Sequence, residues 1–145
     1  MVALARFLGS MTLLNRVALR EPQGDNFATT AIKNMVNENL KNRIFTFLEN
    51  AEIFYGKNLK INESISTNAI NFNRHFTTSN SMSFIIKNIA CRTSGARIML
   101  QGDELYYEIA IDLLEDFIEK ENQVFEFLEK YSENVYRKTI LKFLV

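Results

Sequence analysis

Breakers are scarce in this chain, and that constrains it more than anything else. Its 145 residues hold one proline, Pro22, and five glycines. A fold of many short strands needs a turn every 8–12 residues or so, and turns draw heavily on Gly and Pro. Long runs with apolar residues at three- and four-residue spacing point instead to amphipathic helices. The first predicted helix covers about Ala3 to Leu19 and ends at "REPQGDN". The second follows the Thr29-Thr30 capping signal, carries Ile32, Met35, Val36, Leu40, Ile44, Phe47 and Leu48, and continues to Tyr55, where Gly56 stops it. "NESISTNAINFNRHF" repeats the period with Ile65, Ala69, Phe72 and Phe76.

The stretch "SNSMSFIIKNIACRTSGARIML", residues 79–100, is apolar enough to be buried and too broken by polar residues to span a membrane. Small residues (Ala90, Cys91, Ser94, Gly95, Ala96) crowd its middle, so a close-packed central helix is expected from Ser81 to Leu100, with Gly102-Asp103 as the turn after it. Beyond that turn, Ile109, Leu113, Leu114, Phe117, Ile118 and Phe125 form an apolar stripe opposite Glu104, Glu108, Asp112, Glu115 and Glu119. "VFEFLEKYSENVYRKTILKFLV" supplies one or two short terminal helices. The expected fold class is all-α: one compact bundle of six to seven helices over residues 1–145, built around a buried central helix.

The bulk properties exclude several functions. Seventeen basic residues balance seventeen acidic ones, which speaks against nucleic acid as the main partner. Twelve of the basic residues precede Gly102 and eleven of the acidic ones follow Gln101, an asymmetry that reads as two differently solvated faces. Cys91 stands alone, so no disulfide framework or thiolate metal cluster is expected, and the sensible compartment is intracellular and reducing. No transmembrane anchor is expected either. Residues 1–20 have Arg6, Arg16 and Arg20, no acid and an apolar face. They read as an amphipathic first helix, with a mitochondrial targeting segment as the alternative.

Catalytic chemistry finds few candidates. His75 is the single histidine and sits between Phe72 and Phe76, where a packed or surface role is expected. The carboxylates of residues 103–133 fall at polar-face spacing, and "TSGAR" is neither a phosphate loop nor a dinucleotide fingerprint. No catalytic residue, cofactor or metal is therefore expected, and haem ligation by His75 has nothing else behind it.

Placed in order, these elements resemble the apoptosis-regulating Bcl-2 family, whose buried central hairpin is wrapped by amphipathic helices. Asn80 stands in the position of the Asn that opens that family's Asn-Trp-Gly-Arg signature, with Phe76 as the anchor of the preceding helix and Ile85, Ile86, Ala90 and Gly95 where the central helix packs. Phe127, Leu128, Asn134 and Tyr136 fall at the family's terminal contacts. Ile32, Met35 and Leu40 fall on its second helix, where Asn37 replaces the usual Asp. Ser81, Met82 and Ser83 replace Trp, Gly and Arg, and "TILKFLV" is too short for the usual membrane anchor. Departures of this depth are similar to those of virus-encoded members.

The resemblance implies a non-enzymatic inhibitor of apoptosis, in the cytoplasm of a host cell or at its mitochondria. Such a protein sequesters the amphipathic death helix of pro-apoptotic proteins in an apolar groove. Leu40, Ile44, Phe47, Phe72, Phe76 and Ile86 are the expected lining, next to Asn80 and Ser83. Lys87 or Arg74 would supply the positive charge that Ser83 cannot offer the ligand's Asp. An open groove also implies a homodimer. The alternative is a small helical accessory or scaffold subunit of a larger, mitochondrial assembly.

Overall fold

The computed structural model describes residues 37–73, 75, 77–92 and 96–145. They are mostly β, so the all-α bundle and with it the Bcl-2-like helix order are overturned. One α-helix is present among the described residues, α1 (Glu38–Glu49), followed by a 3-10 turn over Ala51–Phe54. Asn37 caps α1 by accepting from the Leu40 N–H at 3.0 Å. The helix buries Leu40, Ile44, Phe47 and Leu48, the three- and four-residue stripe expected for it. Gly56, at φ +83°, ends the segment in the left-handed region that glycine adopts without strain.

Eight strands follow: β1 (Asn58–Ser66), β2 (Thr77–Ile85), β3 (Asn88–Arg92), β4 (Arg97–Gln101), β5 (Tyr106–Ala110), β6 (Leu114–Lys120), β7 (Val124–Ser132) and β8 (Val135–Leu144). They form an antiparallel five-stranded sheet, ordered β2-β1-β8-β7-β6, and an antiparallel three-stranded sheet, ordered β3-β4-β5. The chain passes between the sheets at two corners. At the first, the Ile86 N–H donates to Lys57 O at 2.9 Å and the Lys87 N–H to Gln101 O at 2.7 Å, so the change of sheet takes one residue. Gly102 fits under this corner; a Cβ there would lie 2.7 Å from Phe84 Cδ2 and 3.2 Å from Ile85 O. At the second, a 3-10 turn over Ile111–Leu113 carries β5 into β6. Counting each bent pair as one strand, the ladders run round a ring that closes where β8 pairs with β1.

The inward faces follow the two-residue period of a pleated strand. Leu59 and Ile61 of β1, Leu141 and Phe143 of β8, Phe125 and Phe127 of β7 and Phe117 of β6 are buried, as are Ile89, Cys91, Ile98, Leu100 and Ile109 of the smaller sheet. The helix lays Phe47 into this core, 5.0 Å from Phe125 and 5.6 Å from Phe127 between ring centroids. Phe54 stacks on Phe143 at 4.0 Å. Such pairs contribute about 0.5–1.5 kcal/mol each beyond area burial.

The predicted helices past Gly56 fail for identifiable reasons. The expected central helix, Ser81–Leu100, is most of β2, the first corner, β3 and most of β4. Of its small residues, Ala90 and Cys91 lie on β3, with Cys91 buried, Ala96, at φ 44°, turns the chain into β4, and Ser94 and Gly95 lie outside the described residues. The expected acidic-faced helix is β5, a 3-10 turn, β6 and the start of β7, and a register shift between Leu114 and Asp116 lends it a helix-like phase. Turns that Gly and Pro would ordinarily make are made by Asn122 and Gln123, at φ 60° and 58°.

Candidate functional site

The structure disperses the residues expected to line a helix-binding groove. Leu40, Ile44, Phe47 and Ile86 belong to the buried core. Phe72 lies half-buried in the connection after β1, under Lys138 Nζ at 4.4 Å. Asn80 and Ser83 are exposed on β2, and Lys87 forms an exposed ion pair with Asp103 at 3.6 Å. Arg74 and Phe76 lie outside the described residues. His75 is exposed, beside a shallow hollow lined by Ile65, Ser66, Thr67, Thr77, Thr78 and Val135.

What the described residues do assemble is a set of four sheet edges, three of them covered. An uncovered edge presents unpaired N–H and C=O groups to any passing strand. At β3, the Tyr55 hydroxyl accepts from the Ile89 N–H at 3.2 Å and has Ile89 O (3.3 Å) and Asn88 Oδ1 (3.0 Å) in reach of its proton. At β6, Arg43 donates to Phe117 O and pairs with Asp116 at 3.2 Å, while Asp116 accepts from the Phe117 N–H at 2.8 Å. The helix therefore closes that edge.

The β5 edge is closed by a buried ion network. Glu129, fully buried, accepts from the Ala110 N–H at 2.7 Å. Arg137 donates two bonds of 2.7 Å to the same carboxylate and a third of 2.9 Å to Glu108 O. Its guanidinium lies 5.4 Å and 5.3 Å from the ring centroids of Tyr107 and Tyr131. Glu63 takes the remaining donors, Tyr107 Oη at 2.7 Å and Arg137 Nη1 at 3.4 Å, and Tyr107 shares a 2.8 Å bond with Thr139. Burial, then the bond to Glu63, pushes the Tyr107 phenol far above its ordinary value. For Arg137, burial works against the charge but the Glu129 contacts prevail, so the guanidinium is held charged. Every carboxylate oxygen in the cluster has a donor once Asn80 Nδ2, 3.4 Å from Glu63 Oε1, is counted. Such a cluster is chemically a latch between the two sheets.

The fourth edge, β2, is different. The Ile86 N–H points at β1, so the alternation turns the N–H and C=O of Thr77, Ser79, Ser81, Ser83 and Ile85 away from the sheet. Among the described residues nothing bonds to these outward groups. The side-chain bonds of the strand run inward to β1: Ser79 to Ser64, Ser81 to Asn62 and Ser83 to Asn58. The strand is nine residues long and holds no proline and no charged side chain, the usual guards of a natural edge.

No protein-family model, curated protein or solved structure matches the chain. Function is therefore read from the β2 edge itself. Sequence reading missed it because "TTSNSMSFI" has Met82 and Phe84 on one face and Thr77, Ser79, Ser81 and Ser83 on the other, a two-residue alternation that starts between two predicted helices and runs into the second.

Proposed function

We propose that this chain is a non-enzymatic binding module that takes up an extended segment of a partner polypeptide along β2, as an accessory subunit of a larger assembly. The observation that carries this is the contrast between edges among the described residues: β3, β5 and β6 are closed by Tyr55, by Glu129 with Arg137 and by Arg43, and nothing bonds to the outward groups of β2. Strand addition draws its affinity from main-chain hydrogen bonds and its selectivity from pockets for alternate side chains. Five outward residues offer those bonds, and the half-buried Met82 and Phe84 with exposed Ile85 offer apolar contact at one end. The apoptosis-inhibitor function expected from the family resemblance finds no support of this kind, because four of its groove residues sit in the core.

The test is a selection of binders from a display library of extended ten-residue peptides, followed by backbone amide mapping and a Ser81→Pro variant. Proline is tolerated at an edge whose N–H faces out, so the variant should fold while losing the central docking amide. Shifts confined to residues 77–85 and a loss of at least tenfold in Ser81→Pro are expected. Equal binding by Ser81→Pro, or binders that map elsewhere, would overturn the proposal.

A further inference from the structure

The face beside the open edge says what the incoming segment carries. The ladder registers set Ser83, Lys60, Lys142, Val124 and Lys120 in one row across the five-stranded sheet. Lys60 and Lys142 lie directly opposite each other, both exposed, on the face away from buried Leu59, Ile61, Leu141 and Phe143. Like charges in directly opposed positions are destabilising. Lys120 and Lys138, by contrast, each pair with Glu126, at 2.5 Å and 3.3 Å. Lys60 and Lys142 have no carboxylate partner among the described residues.

We infer that the segment added to β2 is acidic on its outward face, with Lys60, and Lys142 behind it, as the groups that recognise it. This rests on the strand-addition reading. An added strand lies about 10 Å from β1, two strand spacings away, within the combined reach of a lysine and a glutamate across the small side chain of Ser83. A second copy of the chain fits less well. Pairing β2 with itself would extend one sheet with two such lysine rows and set like charges facing one another on a single surface.

The test uses the full chain and fluorescein-labelled decapeptides with Val and Thr on alternate positions and Glu, Ser or Lys on the others. Anisotropy titrations cover the parent, the double variant Lys60→Ser/Lys142→Ser, and Ser81→Pro. One exposed ion pair, to Lys60, amounts to roughly two- to fivefold in affinity, with Lys142 adding only to the field behind it. The Glu peptide should therefore bind about that much tighter than the Ser peptide. This advantage should vanish in the double lysine variant and at about 0.5 M salt, where screening shortens to a few ångströms. Equal affinities for Glu and Ser peptides, both lost in Ser81→Pro, would overturn the acidic preference and leave strand addition standing. Indifference of every peptide to Ser81→Pro would overturn both. Binding of polyphosphate or single-stranded RNA that depends on both lysines but not on Ser81 would overturn the inference in favour of a polyanion surface.

Discussion

Replacing Glu129 by glutamine probes the latch that holds the two sheets together. The carboxylate is fully buried and binds Arg137 through both oxygens at 2.7 Å, the Ala110 N–H at 2.7 Å and Tyr131 Oη at 3.2 Å. Glutamine keeps the shape but offers one acceptor oxygen, and its amide turns N–H groups toward a guanidinium. A hydrogen bond to a charged group is worth about 1.5–3 kcal/mol, and breaking a buried ion pair costs about 3–5 kcal/mol. The loss here is smaller than a full break, because Glu63 still faces Arg137 at 3.4 Å. A destabilisation of about 2–4 kcal/mol follows, or roughly 5–15 °C in Tm for a chain of this size. Urea unfolding followed by circular dichroism reads it. Glu126→Gln, which breaks surface pairs with Lys120 and Lys138, is the control and should cost below about 1 kcal/mol. Adding Arg137→Gln to Glu129→Gln should cost less than the sum of the two. A Glu129→Gln variant within about 0.5 kcal/mol of the parent, or strict additivity, would refute the latch.

Gly102→Ala should destabilise by about 1–3 kcal/mol, since its Cβ would meet Phe84 Cδ2 at 2.7 Å and Ile85 O at 3.2 Å at the first corner; a melting curve checks it. Burial pushes the Cys91 thiol from 9.0 up to about 12, so iodoacetamide at pH 8 should label it only as fast as the chain unfolds. The neutral thiol is the favoured form, so its contribution is present below pH 9 and lost as pH rises toward 12; Cys91→Ala should flatten that alkaline loss. Burial alone would raise the Glu126 carboxyl, but Lys120 and Lys138 outweigh it and hold the group below its ordinary 4.5. Its contribution is therefore present above pH 4.5 and lost as pH falls through the lowered native value, and acid titration of Glu126→Gln should show a correspondingly smaller loss.

The part of the fold legible in the sequence is the part governed by local spacing. The stripe Leu40, Ile44, Phe47, Leu48 and the stop at Gly56 are where the period and the glycine put them. The strands were illegible because their alternation is interrupted where it matters. On β7, Phe125 and Phe127 point inward, but so does Glu129, and on β8 Arg137 and Thr139 precede Leu141 and Phe143. Those polar residues belong to the latch, whose members come from β1, β5, β7 and β8, and no local pattern marks side chains that meet only after the ring closes. Inward Phe117, Phe125 and Phe127, set among acidic neighbours, then imitate an amphipathic helix. The open edge was hidden for a related reason: its Ser and Asn residues are as common in loops and caps as in an exposed strand.

The most direct measurement is amide hydrogen exchange of the full chain, resolved by residue. The outward N–H groups of Ser79, Ser81 and Ser83 should exchange fast, and those of Asn80, Met82 and Phe84, which bond to β1, should exchange slowly. The capped edge amides of Ile89, Ala110 and Phe117 should also be slow. Protection of Ser79, Ser81 and Ser83 equal to that of their neighbours, in dilute protein without a partner, would mean that β2 is already covered and would contradict its role as a docking edge.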